Sequence, residues 1–383
     1  MSRLITTLFV CLATATLLCG CKGQTSHSGA TYTVYTPRHA ECFRILADSA
    51  YTHSRIIEVV NPWQGASDYS ERLFLAAEGE QAPADFVGQS VRIPVQHVAV
   101  LSSSFVAMFD AVGEVQRIAG VSGLDYIMNQ TVRHAADEGR TVEIGYESNL
   151  NFEAMRAIGT DLVLLYGISG EDRALTGKLR ELDIPYIYIG DYVEPSPLGK
   201  AEWLVAIAAM CGEQAEGERV FAEIENRYHT VQERFADNRG KKPRVMLNTP
   251  YRDTWFMPSV RSYAVRLIED AGGEYVYPEN TGNSSVPISL EQALLLANTA
   301  DVWLNVGQCS TLDELRRANP KFADVPAVRR HRIYNNNKRT LPSGGSDFWE
   351  SGAVAPDVVL RDLALILHGT LSADSLYYYK RLE

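Results

Sequence analysis

Cysteine is scarce in this 383-residue chain, and three of its six copies fall within the first 21 residues. The rest, Cys42, Cys211 and Cys309, cannot all pair with one another, and their wide spacing excludes a zinc-ribbon pattern. Cys211 ends an apolar helical run and is expected to be a buried free thiol. Basic residues are also short: 36 Lys and Arg stand against 47 Asp and Glu, and this excess of acid argues against nucleic acid as a partner. After Leu4–Leu18 no second apolar run approaches the length needed to cross a bilayer. Catalytic motifs are missing too. Gly170 to Gly177-Lys178 has six intervening residues and then Leu179, so it is no phosphate loop, and neither Gly-x-Gly-x-x-Gly nor Gly-x-Ser-x-Gly occurs. The eight histidines are scattered. His134 and Glu138 share a helical face, but such a pair reads as solvated surface, and no converging metal-ligand set is evident.

The chain opens with Arg3, a short apolar core and Cys19-Gly20-Cys21, the layout of an export leader over residues 1–20. Leu18-Cys19-Gly20-Cys21 resembles the bacterial lipobox, which implies lipidation at Cys21. Two or three acyl chains, at ~0.8 kcal/mol per buried CH₂, would make the anchor lasting. Residues 21–31 then form a polar tether. Without the leader, which holds Arg3 and no acid, 35 basic side chains face 47 acidic ones and the balance becomes −12.

The body is of the α/β class. Residues 32–96 carry short β-like runs, at Thr33–Tyr35, Arg55–Val60, Arg72–Leu75 and Ser90–Ile93, and form a β-rich N-terminal extension. Its Asn61-Pro62-Trp63-Gln64-Gly65 reads as a structural turn bearing an aromatic. Strands and helices alternate from His97 to 195, and again over 243–383, as in parallel Rossmann-like folding. The segment 196–242 between these lobes is helical: Ser196 and Pro197 suit a helix start, and after a break near Gly212, Val220, Phe221, Ile224, Tyr228, Val231 and Phe235 form one apolar stripe. From Glu213 to Asn238 such a helix would be a rod of about 39 Å. Two alike lobes on one long backbone helix leave a cleft for a ligand.

Asn151-Phe152-Glu153 before Asp161-Leu162-Val163 is echoed by Ser289-Leu290-Glu291 before Asp301-Val302-Trp303. With this pairing the body resembles the substrate-binding proteins of bacterial ABC importers for cobalamin, ferric siderophores and haem, the helical-backbone metal receptor family. Pro197-Leu198-Gly199-Lys200-Ala201-Glu202-Trp203 is similar to Bacteroidetes-type members, and Gly344–Gly352 to the family's ligand-contacting loop. Thr160 departs from a usual proline, and the second segment has two extra residues before its aspartate. The resemblance implies no catalysis and no permanent cofactor, with a metal chelate as transported ligand. It further implies a periplasmic, membrane-anchored monomer delivering to an ABC permease dimer with its ATPase subunits, docked through Glu153 and Glu291. By the same alignment Tyr146, Tyr166, Trp255, Asp347 and Trp349 are the expected ligand contacts. Ser102–Ser104, Tyr126, Tyr251 and Arg252 also fall in loops expected at the cleft. An exported enzyme with its active site in the cleft is the alternative, since fold alone does not decide function.

Overall fold

The structure, a computed structural model, describes residues 29–168, 170–236, 242–369 and 375–383; the leader, Cys21 and the tether as far as residue 28 lie outside them. The extension is one sheet. Strands β1 (Thr31–Tyr35), β2 (Phe43–Asp48), β3 (Arg55–Val60) and β4 (Ser70–Ala76) run antiparallel, and β5 (Gln89–Arg92) lies parallel to β4. Across β2, β3 and β4 the buried Glu58 accepts from Arg44 and Arg72, a cross-strand charge triplet that keeps this carboxylate partnered.

The first lobe contains β6 (Val98–Val100), α1 (Ser103–Ala111), β7 (Ile118–Val121), α2 (Gln130–Asp137), β8 (Val142–Glu143), the hairpin β9 (Gly145–Tyr146) and β10 (Asn149–Leu150), α3 (Phe152–Ala157), β11 (Leu162–Leu165), α4 (Arg173–Glu181) and β12 (Tyr186–Tyr188). Its sheet is parallel, in the order β12-β11-β6-β7-β8, and Leu162 to Leu165 are buried on both faces as a central strand requires. β12 would be an open edge. The extension covers it with side chains: Gln89 both donates to Tyr186 O (2.9 Å) and accepts from Tyr186 N (3.1 Å), and Glu71 accepts from Tyr188 N (2.7 Å).

The linker is two helices that pack as a hairpin, with the break at residues 211–213. Ser196 caps α5 (Pro197–Met210) by accepting from Gly199 N at 2.9 Å, and proline occupies its first turn. All of α5 is buried, with the extension, both lobes and the next helix packed on it. That next helix, α6 (Gln214–Ala236), is about 34 Å long at 1.5 Å per residue. It folds back along α5 where Gly217 meets Val205 and Ala208; a Cβ at Gly217 would lie 2.5 Å from Ala208 Cβ. Phe221, Ile224 and Tyr228 form the buried stripe, while Arg219 pairs with Glu216 and Glu223 on the wet face.

The second lobe contains β13 (Arg244–Leu247), β14 (Thr254–Met257), α7 (Tyr263–Asp270), β15 (Glu274–Tyr275), β16 (Val286–Ser289), α8 (Leu290–Ala297), β17 (Val302–Leu304), α9 (Leu312–Ala318), α10 (Pro326–Arg329), β18 (Ile333–Asn335), α11 (Pro356–His368) and β19 (Lys380–Arg381). The sheet order is β15-β13-β17-β18-β19 with β19 antiparallel, while β14 and β16 pair apart from it. Both lobes are α/β units, but their strand orders differ: counted along the chain, the first is 3-2-1-4-5 and the second 2-1-3-4-5, two orders of doubly wound sheet. They are cousins rather than repeats. The lobes touch where the loop after β18 meets the first lobe. Glu350 accepts from Met128 N at 2.7 Å, Ser343 donates to Asp125 O at 2.6 Å, and Gly345 lies so close to Tyr126 that a Cβ would come within 2.2 Å of its carbonyl oxygen.

Candidate functional site

Ligands of doubly wound sheets bind beyond the carboxyl ends of the strands, where the strand order reverses. In the second lobe that place lies between β13 and β17. The residues just after them, Asn248 and Asn305, are both left-handed (φ 66° and 59°), a conformation asparagine tolerates better than most residues. Both line a cavity of about 420 Å³. Its opposite wall is not the first-lobe sheet alone. Tyr192 and Glu194 come from the end of that lobe, and Glu41, Cys42 and Trp63 come from the extension.

Four aromatics, Trp63, Tyr192, Tyr263 and Trp349, line this space. Trp63 also packs on Tyr69 and Tyr188 at 4.4 and 5.0 Å, which anchors it. Trp349 is half exposed and stands perpendicular to Phe348 at 4.8 Å. At the mouth Glu41 and Arg261 approach to 3.8 Å, joining extension to second lobe; with both largely in water the contact contributes at most ~1 kcal/mol. Glu194 accepts from Glu41 N (2.7 Å), Cys42 N (3.2 Å) and Trp203 Nε1 (2.8 Å). Burial pushes its carboxyl up to about 8, with the three donors pulling the other way. Burial, followed by the nearby Glu194 and Glu41 charges, likewise raises the Cys42 thiol, so it stays protonated and unreactive. No histidine lines the cavity among the described residues. The walls offer aromatic faces and hydrogen-bonding groups, an arrangement that suits capture of a ligand.

The expected contact residues are distributed unevenly. Trp349 lines the cavity. Tyr166 is half-buried behind the wall, 4.8 Å from Tyr192 and 5.9 Å from Phe105. Tyr146 is 55% exposed and stands by Tyr126 at the lobe contact, away from the cavity lining. Trp255 is corrected outright: it is fully buried, donates to Leu247 O at 2.9 Å and packs on Phe322 and Trp303. Thr254–Met257 is a strand, and its alternation turns Trp255 and Met257 inward, so the residue taken for a cleft loop belongs to the core. Asp347 is buried and outside the cavity lining, with one oxygen accepting from Arg339 (2.6 Å) and the other from Ser351 (2.6 Å), so it pins its own loop. No motif or spacing in the sequence marks Tyr192, Tyr263, Asn248, Asn305 or the Glu41–Arg261 pair, and the turn that carries Trp63 reads as structural more often than functional. The Asn-Pro-Trp turn was the one visible signal. Glu153 and Glu291 are exposed in the first turns of α3 and α8, after the caps Asn151 and Ser289. The backbone amide of Glu291 itself, with Ser289, holds the Glu291 carboxyl below the usual range.

Residues 98–340 match the sequence model of a family described as periplasmic binding protein. Two uncharacterized lipoproteins of Methanocaldococcus jannaschii are 25% and 26% identical to the chain, over 81% and 80% of it and 77% and 79% of their own lengths. A periplasmic heme binding protein from Pseudomonas aeruginosa superposes with a TM-score of 0.58 at 15% identity, covering 75% of this chain and 98% of that one. The periplasmic vitamin B12 binding protein of Vibrio cholerae gives 0.53 at 14%, covering 72% and 98%. A periplasmic binding protein from Veillonella parvula gives 0.58 at 14%, covering 81% and 98%.

Proposed function

This chain belongs to the periplasmic binding protein family, a family of carriers rather than catalysts, and from that premise we propose that it captures a metal chelate for an ABC importer. The observation that carries this reading is the cavity between the lobes, walled by Trp63, Tyr192, Tyr263 and Trp349 at the carboxyl ends of the strands. Aromatic side chains bury ~150–250 Å² each and present flat faces with polar edges, which suits the ring of a haem, the corrin of a cobalamin or the aryl arms of a ferric siderophore. Heme- and vitamin B12-binding proteins of the same fold favour that ligand class.

The carrier works in the periplasm, held to the membrane through lipid on Cys21, and hands its cargo to a permease dimer with ATPase subunits. Glu153 and Glu291 orient that docking. Each is an exposed carboxylate in the first turn of a helix, and Leu295, 72% exposed four residues after Glu291, adds an apolar contact. Pro197–Trp203 points to the Bacteroidetes-type branch. Titration of the purified protein with haemin, cobalamin and ferric siderophores, followed by tryptophan quenching, tests the ligand. Trp349→Ala should weaken binding at least tenfold, on the order of 1.4 kcal/mol or more. Binding of no chelate below millimolar concentration overturns the reading. For docking, the pair Glu153→Ala and Glu291→Ala should abolish permease ATPase stimulation and leave ligand affinity intact.

A further inference from the structure

On the outer side of the linker, His39, Glu225 and His229 bring three ligand atoms within 4.8 Å of one another, the metal-competent group found among the described residues. Glu225 and His229 stand four apart on α6 and so share a face. His39 arrives from the loop between β1 and β2. Its Nε2 is 2.7 Å from Glu225 Oε1, and its ring is 6.4 Å from that of His229.

The surroundings organise each ligand. Glu202 accepts from the amides of Arg38, His39 and Ala40 at 2.8 Å each, which fixes the loop that presents His39. Arg38 occupies Glu225 Oε2 at 2.7 Å and leaves Oε1 as a one-oxygen ligand. His229 Nδ1 lies 3.2 Å from Gln232 Oε1, while Gln232 donates to Asp270 Oδ1 at 2.9 Å. That relay places the proton on Nδ1 and frees Nε2, as outer-shell partners of metal-bound histidines do. An ion pair between His39 and Glu225 needs neither His229 nor Gln232. Two imidazoles and one carboxylate are donors for a borderline divalent ion such as Zn²⁺, with water as the fourth ligand. A depression of about 340 Å³ beside His39 and His229 leaves room for that water.

We propose that His39, Glu225 and His229 form a zinc-class cation site that staples the extension to the long helix. It is separate from the cargo cavity, none of whose lining residues is a ligand. The two are adjacent, since Pro195 borders both hollows and the stapled loop continues into Glu41 and Cys42 of the cavity wall. His229 is exposed, so its ring is free to swing in and shorten the 4.8 Å spread toward the ~3.3 Å between ligands set ~2.0–2.1 Å from a tetrahedral ion.

The test uses the purified, chelator-stripped protein with CoCl₂ and then ZnCl₂. One equivalent of Co²⁺ should give the visible bands of a tetrahedral ion, and Zn²⁺ should displace it with affinity on the order of micromolar or tighter. His229→Ala, which removes an exposed side chain bonded to Gln232 and beside the rings of His39 and Tyr228, and Glu225→Gln should each weaken Co²⁺ binding by at least ~10-fold. Chelate binding by His229→Ala in the quenching titration should match the parent, so the staple and the cargo reading fail separately. Absence of Co²⁺ and Zn²⁺ binding, or binding indifferent to both substitutions, overturns the proposal.

Discussion

Replacing Glu202 by alanine should loosen the extension where it meets α5. The side chain is fully buried and accepts four hydrogen bonds of 2.7–2.8 Å, from Tyr35 Oη and from the amides of Arg38, His39 and Ala40. A buried donor left without a partner costs ~1–3 kcal/mol. Because water can enter the vacated space, the lower end applies, and four donors give about 4 kcal/mol of local destabilisation. At ~1.4 kcal/mol per factor of ten, amides 38–40 should exchange with deuterium about a thousandfold faster. Peptides from the β11 core should stay protected. Hydrogen-exchange mass spectrometry resolves the two regions in one experiment. Glu202→Gln keeps one acceptor oxygen but turns an NH₂ toward the donors, so it should fall between parent and alanine. Exchange of residues 36–42 in Glu202→Ala within tenfold of the parent would refute the idea that this carboxylate holds the loop.

Two further outcomes follow from the same packing. Burial raises Glu350 to about 7 and Glu194 to about 8 from an ordinary 4.5, so the folded chain holds protons that the unfolded chain releases. Stability contributed by these groups is therefore present at acid pH and is lost as pH rises from ~4.5 through those values, by ~1.4 kcal/mol per pH unit per group. Glu350→Gln should flatten the parent's slope of urea midpoint against pH between 5 and 7, and an unchanged slope contradicts the assignment. Gly217→Ala forces the linker helices apart at Ala208 and should destabilise the protein by ~1–3 kcal/mol in urea unfolding; a neutral result would mean that α5 and α6 yield at no cost.

Much of the fold was legible because its signals are local. The buried run Leu162–Leu165, the Ser196-Pro197 start and the apolar stripe of α6 depend on neighbours within a turn or two. The strand Phe43–Asp48 escaped notice because it is buried on both faces apart from Arg44, which hides a period of two. The site was less readable. Trp255 and Trp349 look alike as letters, and only strand alternation and the lobe contact send one into the core and the other to the cavity. His39 meets Glu225 across 186 positions of chain, beyond any spacing rule. The difference in strand order between the lobes is set by crossovers, which hydrophobic period does not encode.

Gln89 and Glu71, which occupy the flank of β12, carry one more implication. A protein trimmed back to residue 97, close to where the family match begins, would bare the row of peptide groups that these two side chains now stopper. Such a fragment should polymerise, strand against strand between molecules, and stay soluble only at high dilution.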